Sequence, residues 1–348
     1  MTVFESSDAE ILFERRGALG LITLNRPKAL NALTRDMCLR MMAQLDVWAK
    51  DPSLSTVAIR GAGERAFCAG GDIRALHDSG RAGTSYALDF WRDEYTLNAM
   101  IKHYPKPYVA LIHGIVMGGG VGVSVHGHCR IADDGAVFAM PETGIGFFPD
   151  VGGSYFLPRC PGETGMYLAL TGARLKAADM RYVGVSTHIV PQTQWNALIG
   201  VLADGGEPGN ALAKSEERMF APLAEHRAKI DRIFAAESVE AILAGLDAES
   251  GDWPRATAAA IRTKSPTSLK LVYREMREGR KRSFDDCMRM EYRMANRVLS
   301  GRDFYEGVRA AIIDKDNAPR WHPAVLAEVT DEAVDAHFAT LGEKELKL

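Results

Sequence analysis

Apolar positions recur with a period of two at the start of the chain and with a helical period soon after. Ile11-Leu12-Phe13 and Leu19-Gly20-Leu21-Ile22-Thr23-Leu24 read as the two strands of a hairpin around Gly17, ended by Asn25-Arg26-Pro27. Thr34 follows as a helix N-cap. Met37, Met41, Leu45 and Trp48 then recur at helical spacing until Asp51-Pro52 stops the run. Residues 56–60 form another short β-like stretch. Strand, helix, strand in that order implies a crossover, hence a mixed or parallel sheet and an α/β chain.

The pattern predicts a glycine-rich loop over 61–72, a helix over 89–103 that ends before Pro105, a strand over 109–112 and a helix start over 119–127. Residues 131–140 return as β, a helix opens over 151–157, and another ends at Thr171-Gly172. Beyond about residue 195 the pattern is helical. Surface helices are expected over 211–232 and 238–246. Ser265-Pro266-Thr267 precedes a helix carrying Leu269, Val272 and Met276. Ser283-Phe284-Asp285-Asp286 fits a capping box before Met288, Tyr292, Ala295 and Leu299. This shift divides the chain into a core over 1–195 and a mainly helical region over 196–348.

Composition narrows the function classes. The 348 residues suffice for one large core or two modest ones. A net charge of −3, with Arg280-Lys281-Arg282 as its one short basic run, gives no footprint for nucleic acid. Five scattered cysteines without a C-x-x-C pair argue for reduced thiols. Residues 1–10 lack the features of a secretory or transit signal, and no apolar run reaches membrane-spanning length. The expected compartment is the cytoplasm, or the mitochondrial matrix if an import sequence has been removed. His126 and His128 have no third ligand in view, so no metal is expected. No G-x-S-x-G elbow serves Ser124 or Ser154, and no Walker A run appears. The run Gly118-Gly119-Gly120-Val121-Gly122 departs from G-x-G-x-x-G.

Chemistry concentrates at two glycine loops and two acids. Ala69-Gly70-Gly71-Asp72 and Gly118-Gly119-Gly120 each follow a strand, and backbone amides without a Cβ beside them can approach a ligand closely. Two such amides on one oxygen would form an oxyanion hole, worth about 3–4 kcal/mol of barrier per donor. Glu142 and Asp150 each follow a proline in apolar surroundings, where desolvation would raise a carboxyl pKa. Read from residue pattern alone, Glu94, beside Trp91 and Tyr95 in mid-helix, is a surface residue.

These residues together resemble the crotonase (enoyl-CoA hydratase/isomerase) superfamily. The resemblance rests on residues 25–33, on Ala69-Gly70-Gly71-Asp72-Ile73 and on Gly118-Gly119-Gly120. Residues 113–127, Met140-Pro141-Glu142-Thr143 and Phe148-Pro149-Asp150-Val151-Gly152-Gly153 are most similar to its thioester-hydrolysing branch. So are residues 265–270, Met290-Glu291-Tyr292-Arg293, residues 303–309 and Ile313-Asp314-Lys315-Asp316, and the likeness spans nearly the whole chain.

It implies a crotonase-like spiral of ββα turns with a helical C-terminal region. It implies an oxyanion hole at the amides of Gly71 and Gly119, and CoA running along Lys28, Ala29 and Ala69. Catalysis falls to Glu142 and Asp150, with Glu94 at the acyl group. The first of two glutamates used by enoyl-CoA hydratases matches Gly122, which has no side chain. The implied activity is therefore hydrolysis of a short branched 3-hydroxyacyl-CoA, with 3-hydroxyisobutyryl-CoA as expected substrate. The alternatives are an enoyl-CoA hydratase/isomerase and an inert CoA-thioester binding protein. CoA enters as part of the substrate and no separate cofactor is expected. Superfamily members often form trimers and hexamers, so a homo-oligomer is among the expectations.

Overall fold

The computed structural model describes residues 9–209 and 220–348. Among these the strands are β1 (Ile11–Arg16), β2 (Leu19–Leu24), β3 (Thr56–Gly61), β4 (Ala66–Cys68), β5 (Tyr108–Ile112), β6 (Ile115–Met117), β7 (Cys129–Ala132), β8 (Val137–Ala139), β9 (Leu175–Lys176) and β10 (His188–Ile189). Six of them form a sheet in the order β1-β2-β3-β5-β7-β10, and four form a second sheet in the order β4-β6-β8-β9. The β1/β2 hairpin is antiparallel, pairing Ile11 with Leu24 and Arg16 with Leu19. From β2 onward every neighbour in the larger sheet is parallel. Each parallel step needs a crossover, and the helix Arg35–Lys50 makes the first between β2 and β3.

Two compact units share the chain. One comprises residues 1–71, 96–138 and 174–224; the other comprises 72–95, 139–173 and 225–348. Their division does not follow chain order, although no strand follows Ile189 among the described residues.

In the first unit, Leu19, Leu21, Ala58, Val109, Leu111 and Ile131 pack one face of the large sheet against Trp195, Leu198, Ile199 and Leu202. The latter lie on the helix Trp195–Ala203. Alternation turns Gly20 to the opposite face, where a Cβ would come within 2.7 Å of the Trp48 indole. Trp48 closes the buried stripe Met37, Cys38, Met41, Leu45 of the helix that Thr34 caps. Helices thus cover both faces of a buried, largely parallel sheet.

In the second unit, the helices Thr164–Thr171, Pro266–Gly279 and Phe284–Val298 each bury an apolar stripe. Ser265 and Ser283 cap the last two by accepting from the Ser268 and Asp286 amides. Two of them approach residues 154–157 closely because of glycine. A Cβ on Gly165 would lie 1.7 Å from the Leu157 carbonyl, and one on Gly279 would lie 1.9 Å from that of Ser154.

Several expectations from the pattern need correction. The loop over 61–72 contains β4, whose three residues are too short to show a period. The β run over 131–140 is two strands separated by a turn at Asp133, because β7 and β8 belong to different sheets. The helix expected over 119–127 covers only Gly119–Gly122. Of the helix expected over 211–232, residues 211–219 lie outside the described residues; beyond them a tight turn at Pro222–His226 leads into the helix Arg227–Phe234. The helix Ile73–Ala82, capped by Asp72, went unread beside the glycine loop that precedes it. No helix among the described residues is long and apolar enough to cross a membrane.

A paired substitution tests the packing argument. A Cβ on Gly120 would sit 2.2 Å from the Cys68 carbonyl, whereas one on Gly200, in the exposed face of its helix, meets nothing within 4 Å. Gly120→Ala is expected to cost about 1–3 kcal/mol by overpacking. Gly200→Ala is expected to stabilise by about 0.5–1 kcal/mol through helix propensity. Denaturant unfolding midpoints of the two variants read both effects.

Candidate active site

In the first unit, the loop after β2 is held by one buried side chain. Leu30 and Asn31 have φ of 52° and 56°, a left-handed pair that asparagine tolerates better than most residues. Asn31 is fully buried. Its Nδ2 donates to the carbonyls of Ala62 and Ala66, both at 2.9 Å, and its Oδ1 accepts from the Arg26 amide. The Ala69 amide donates to the Leu30 carbonyl at 3.0 Å, and the Leu33 amide to the Gly70 carbonyl at 2.8 Å. Lys28 and Ala29, exposed on the short turn Pro27–Ala29, are thereby tied to the strand end that carries Ala69. Sequence reasoning named Lys28, Ala29 and Ala69 but passed over Asn31, the residue that joins them. Its position after two apolar residues gave no signal of burial.

The second glycine run reaches the same loop. A Cβ on Gly70 would be 3.6 Å from the Met117 carbonyl and 3.9 Å from the Gly119 nitrogen. The clash of a Gly120 Cβ with Cys68 repeats the same close approach. Gly119 opens a four-residue helix, so its amide has no partner within that helix. Gly71 bridges Leu33 in parallel, with the Gly70 carbonyl as the acceptor. Among the described residues neither amide donates a main-chain hydrogen bond.

The second unit holds the acids. Glu142 begins a tight turn, Glu142–Ile145, closed by Gly146 at φ 70°. Thr143 in this turn accepts from the Ser265 amide at 3.2 Å, and Ser265 Oγ donates to Asp303 at 2.6 Å. The turn is thus fixed by residues more than a hundred positions away. Asp150 accepts from the Tyr95 hydroxyl at 2.8 Å. Glu94 precedes Tyr95 on the helix Tyr86–Lys102 and is 2% exposed, so its reading as a surface residue was wrong. Trp91, one turn earlier, stacks on Phe147 at 5.3 Å, and Phe147 stacks on Phe148 at 4.4 Å. The helix buries both Trp91 and Glu94, which pattern alone treats as opposites.

Burial dominates the electrostatics here. It pushes the Asp150 carboxyl up to about 7 against the pull of the Tyr95 hydrogen bond. It raises Glu142 well above the carboxylate range, and the Asp150 charge adds to this. Glu94 is raised by burial first, then by Asp150 and Glu291. One oxygen each of Glu94 and Glu142 is buried without a hydrogen-bond partner. Such a group is costly to keep and open to a ligand.

Two further acids were not foreseen as site residues. Glu275 is fully buried with both oxygens unpartnered, and burial together with Glu291, Asp150 and Glu142 raises its pKa. Glu291 accepts from the Gly152 and Ser154 amides and from Ser154 Oγ. That hydroxyl is committed to a carboxylate and lacks the histidine that a serine nucleophile needs. Both acids sit on amphipathic helices, where their only sequence signal is a charge at an apolar register position. His128 Nδ1 accepts from the Tyr108 amide in the first unit. No group of acids, histidines and cysteines among the described residues could hold a metal ion.

The enoyl-CoA hydratase/isomerase family profile matches residues 19–338. The 3-hydroxyisobutyryl-CoA hydrolase, mitochondrial, of Xenopus tropicalis is 47% identical over 100% of this chain and 93% of its own length. The human protein of that name is 45% identical over 97% and 90%. Among solved structures, a carnitinyl-CoA dehydratase from Mycobacterium thermoresistibile superposes with a TM-score of 0.93 at 43% identity, covering 98% of this chain and 99% of its own. An enoyl-CoA hydratase from Rhodobacter sphaeroides 2.4.1 does so at 0.90 and 39%, covering 98% and 100%. With this coverage and the α/β architecture described above, the chain belongs to the enoyl-CoA hydratase/isomerase, or crotonase, family.

Proposed function

We propose that this chain hydrolyses 3-hydroxyisobutyryl-CoA to 3-hydroxyisobutyrate and free CoA, a step in valine breakdown. Relatives named for this hydrolysis match it over nearly its full length, while the names of its structural neighbours point to hydration and dehydration. The observation that favours hydrolysis is the set of acids. Adding water across a double bond in this family uses two glutamates, and the first of these positions is Gly122 here. Glu142 remains, buried with an open oxygen, and Asp150 is a second, differently tuned carboxyl.

In this reading the amides of Gly71 and Gly119 hold the thioester oxygen as it gains charge. Glu142 takes a proton from water, or attacks the carbonyl itself to give a mixed anhydride that water then opens. Either way the carbon–sulfur bond breaks, the water oxygen ends in the free acid, and the CoA thiolate gains a proton. Asp150 supplies that proton or holds the substrate hydroxyl, and Glu94 positions the acyl group. Lys28, Ala29 and Ala69 carry the CoA, which is substrate; no separate cofactor enters. The proposed compartment is a reducing one, the cytoplasm or the mitochondrial matrix; the relatives named above are called mitochondrial. No disulfide joins the described cysteines, which suits such a compartment.

Glu142→Gln is expected to lower kcat for release of free CoA by about 10²–10⁴-fold. Equal rates for wild type, Glu142→Gln and Asp150→Asn would reduce the chain to a thioester binder. Loss of the conjugated enoyl absorbance, without thiol release, would mark a hydratase. Single-turnover hydrolysis in oxygen-18 water separates the two routes, because label in the Glu142 side chain arises only from the anhydride.

The raised carboxyl pKa values set two pH dependences. Glu142 works ionised, so activity rises with pH along a limb placed above the ordinary carboxylate range. Asp150 donates when protonated, so activity falls again above about 7, and Asp150→Asn is expected to lose that alkaline limb. Stability follows the opposite sign from a salt-bridged acid. Below both the unfolded and folded values the burial cost is absent. Between them the folded state binds more protons than the unfolded chain, so stability declines as pH rises toward about 7. Unfolding midpoints of wild type are expected to fall from about pH 5 to about pH 8 more than those of Asp150→Asn.

A further inference from the structure

The turn that carries Asp150 has an unusual backbone. Val151 has φ of 53° and Gly152 has φ of 86°, and the Gly153 amide donates to the Asp150 carbonyl at 2.8 Å to close the turn. Two left-handed central residues suit an Asn-Gly pair, and a β-branched valine there is an outlier held against its own preference. Val151 is fully buried. Glu291, on the helix Phe284–Val298, reaches across 139 positions of sequence to accept from the Gly152 amide at 2.8 Å on one oxygen. Its other oxygen accepts from the Ser154 amide at 3.0 Å. The next residue, Tyr292, packs edge-on against Tyr95, the donor to Asp150, with ring centroids 6.3 Å apart.

We propose that Glu291 is a positioning residue for Asp150: its carboxylate straddles the Gly152 and Ser154 amides and holds the strained Val151-Gly152 turn that aims the Asp150 side chain. The inference rests on the hydrolytic role assigned to Asp150. It also explains why so costly a group as a buried carboxyl stands at position 291. An amide there would present an NH2 group to one of two N–H donors. A glutamine oriented to serve Ser154, with its two donors, would repel the Gly152 amide and free the turn to relax.

The test compares wild type, Glu291→Gln and Val151→Gly/Glu291→Gln with 3-hydroxyisobutyryl-CoA. Readouts are kcat and KM per folded molecule, and the titration of Asp150 by carboxyl carbon-13 NMR. The charged and titratable groups around Asp150 are Glu94 and Tyr95 on their helix, Glu142 in the neighbouring loop, Glu275 and Glu291. All but Glu291 are unchanged across the set. Glu291→Gln is expected to lower kcat by about tenfold to a hundredfold with KM little moved. It should also shift the Asp150 titration downward as water reaches the loosened turn. Glycine at 151 removes the strain and is expected to recover part of kcat.

A displaced titration in both Glu291→Gln and the charge-retaining Glu291→Asp, with unchanged turnover, would uphold the turn's dependence on Glu291 and count against the catalytic role of Asp150. An unmoved titration, or no recovery in the double variant, overturns the proposal. Should Glu291→Gln not fold, Glu291→Asp keeps a carboxylate too short to span both amides. The same downward displacement is then expected, and an unmoved titration is equally decisive against it.

Discussion

The second unit depends on keeping several carboxyl groups out of water. Glu94, Glu142, Asp150, Glu275 and Glu291 are all buried, and no arginine or lysine is hydrogen-bonded to any of them among the described residues. Desolvation is therefore the leading influence on each pKa; mutual repulsion follows it at Glu94, Glu142 and Glu275, whereas hydrogen bonds follow it at Asp150 and Glu291. The cost is met by hydrogen bonds to some members and by the proton that others retain. A pair of cations would have been cheaper electrostatically, but it would have fixed every acid as a spent anion.

Different partners give these acids different chemistry. Asp150 has a phenol donor and Glu291 has two main-chain amides and a hydroxyl, so their values stay near 7 and 8. Glu142 has an oxygen with no partner and is raised further from its ordinary value by the Asp150 charge. An open acceptor beside a group that titrates near neutrality is what acid–base chemistry on a bound ester demands. In the first unit the corresponding asset is unspent donors. The Gly71 and Gly119 amides lie in segments kept close by Gly120, where a Cβ would collide with the Cys68 carbonyl, and neither donates a main-chain hydrogen bond among the described residues.

The scaffold is arranged so that long-range contacts fix short-range geometry. Asn31 ties three main-chain segments of the glycine loop. Ser265 and Asp303 hold the Glu142 turn, and Glu291 holds the Asp150 turn. Each turn contains left-handed residues or a helix too short to persist alone, so tertiary contacts replace local propensity.

The sequence alone determined the α/β class, the hairpin, the Thr34 and Ser283 caps and the apolar stripes, because these follow from local periodicity and capping. It also marked Glu142, Asp150 and the glycine runs, since acids in apolar runs and consecutive glycines are visible without a partner. Glu94 read as surface from its helix alone, the family likeness assigned it to the acyl group, and the structure showed it buried. Tertiary structure alone decided that Asn31, Tyr95, Glu275 and Glu291 are buried, and to whom Asn31, Tyr95 and Glu291 bond. Apart from the Arg26 amide bonded to Asn31, those partners stand tens to more than a hundred residues away, and neither the burial of a polar side chain nor the partner it meets is encoded within a turn of the chain.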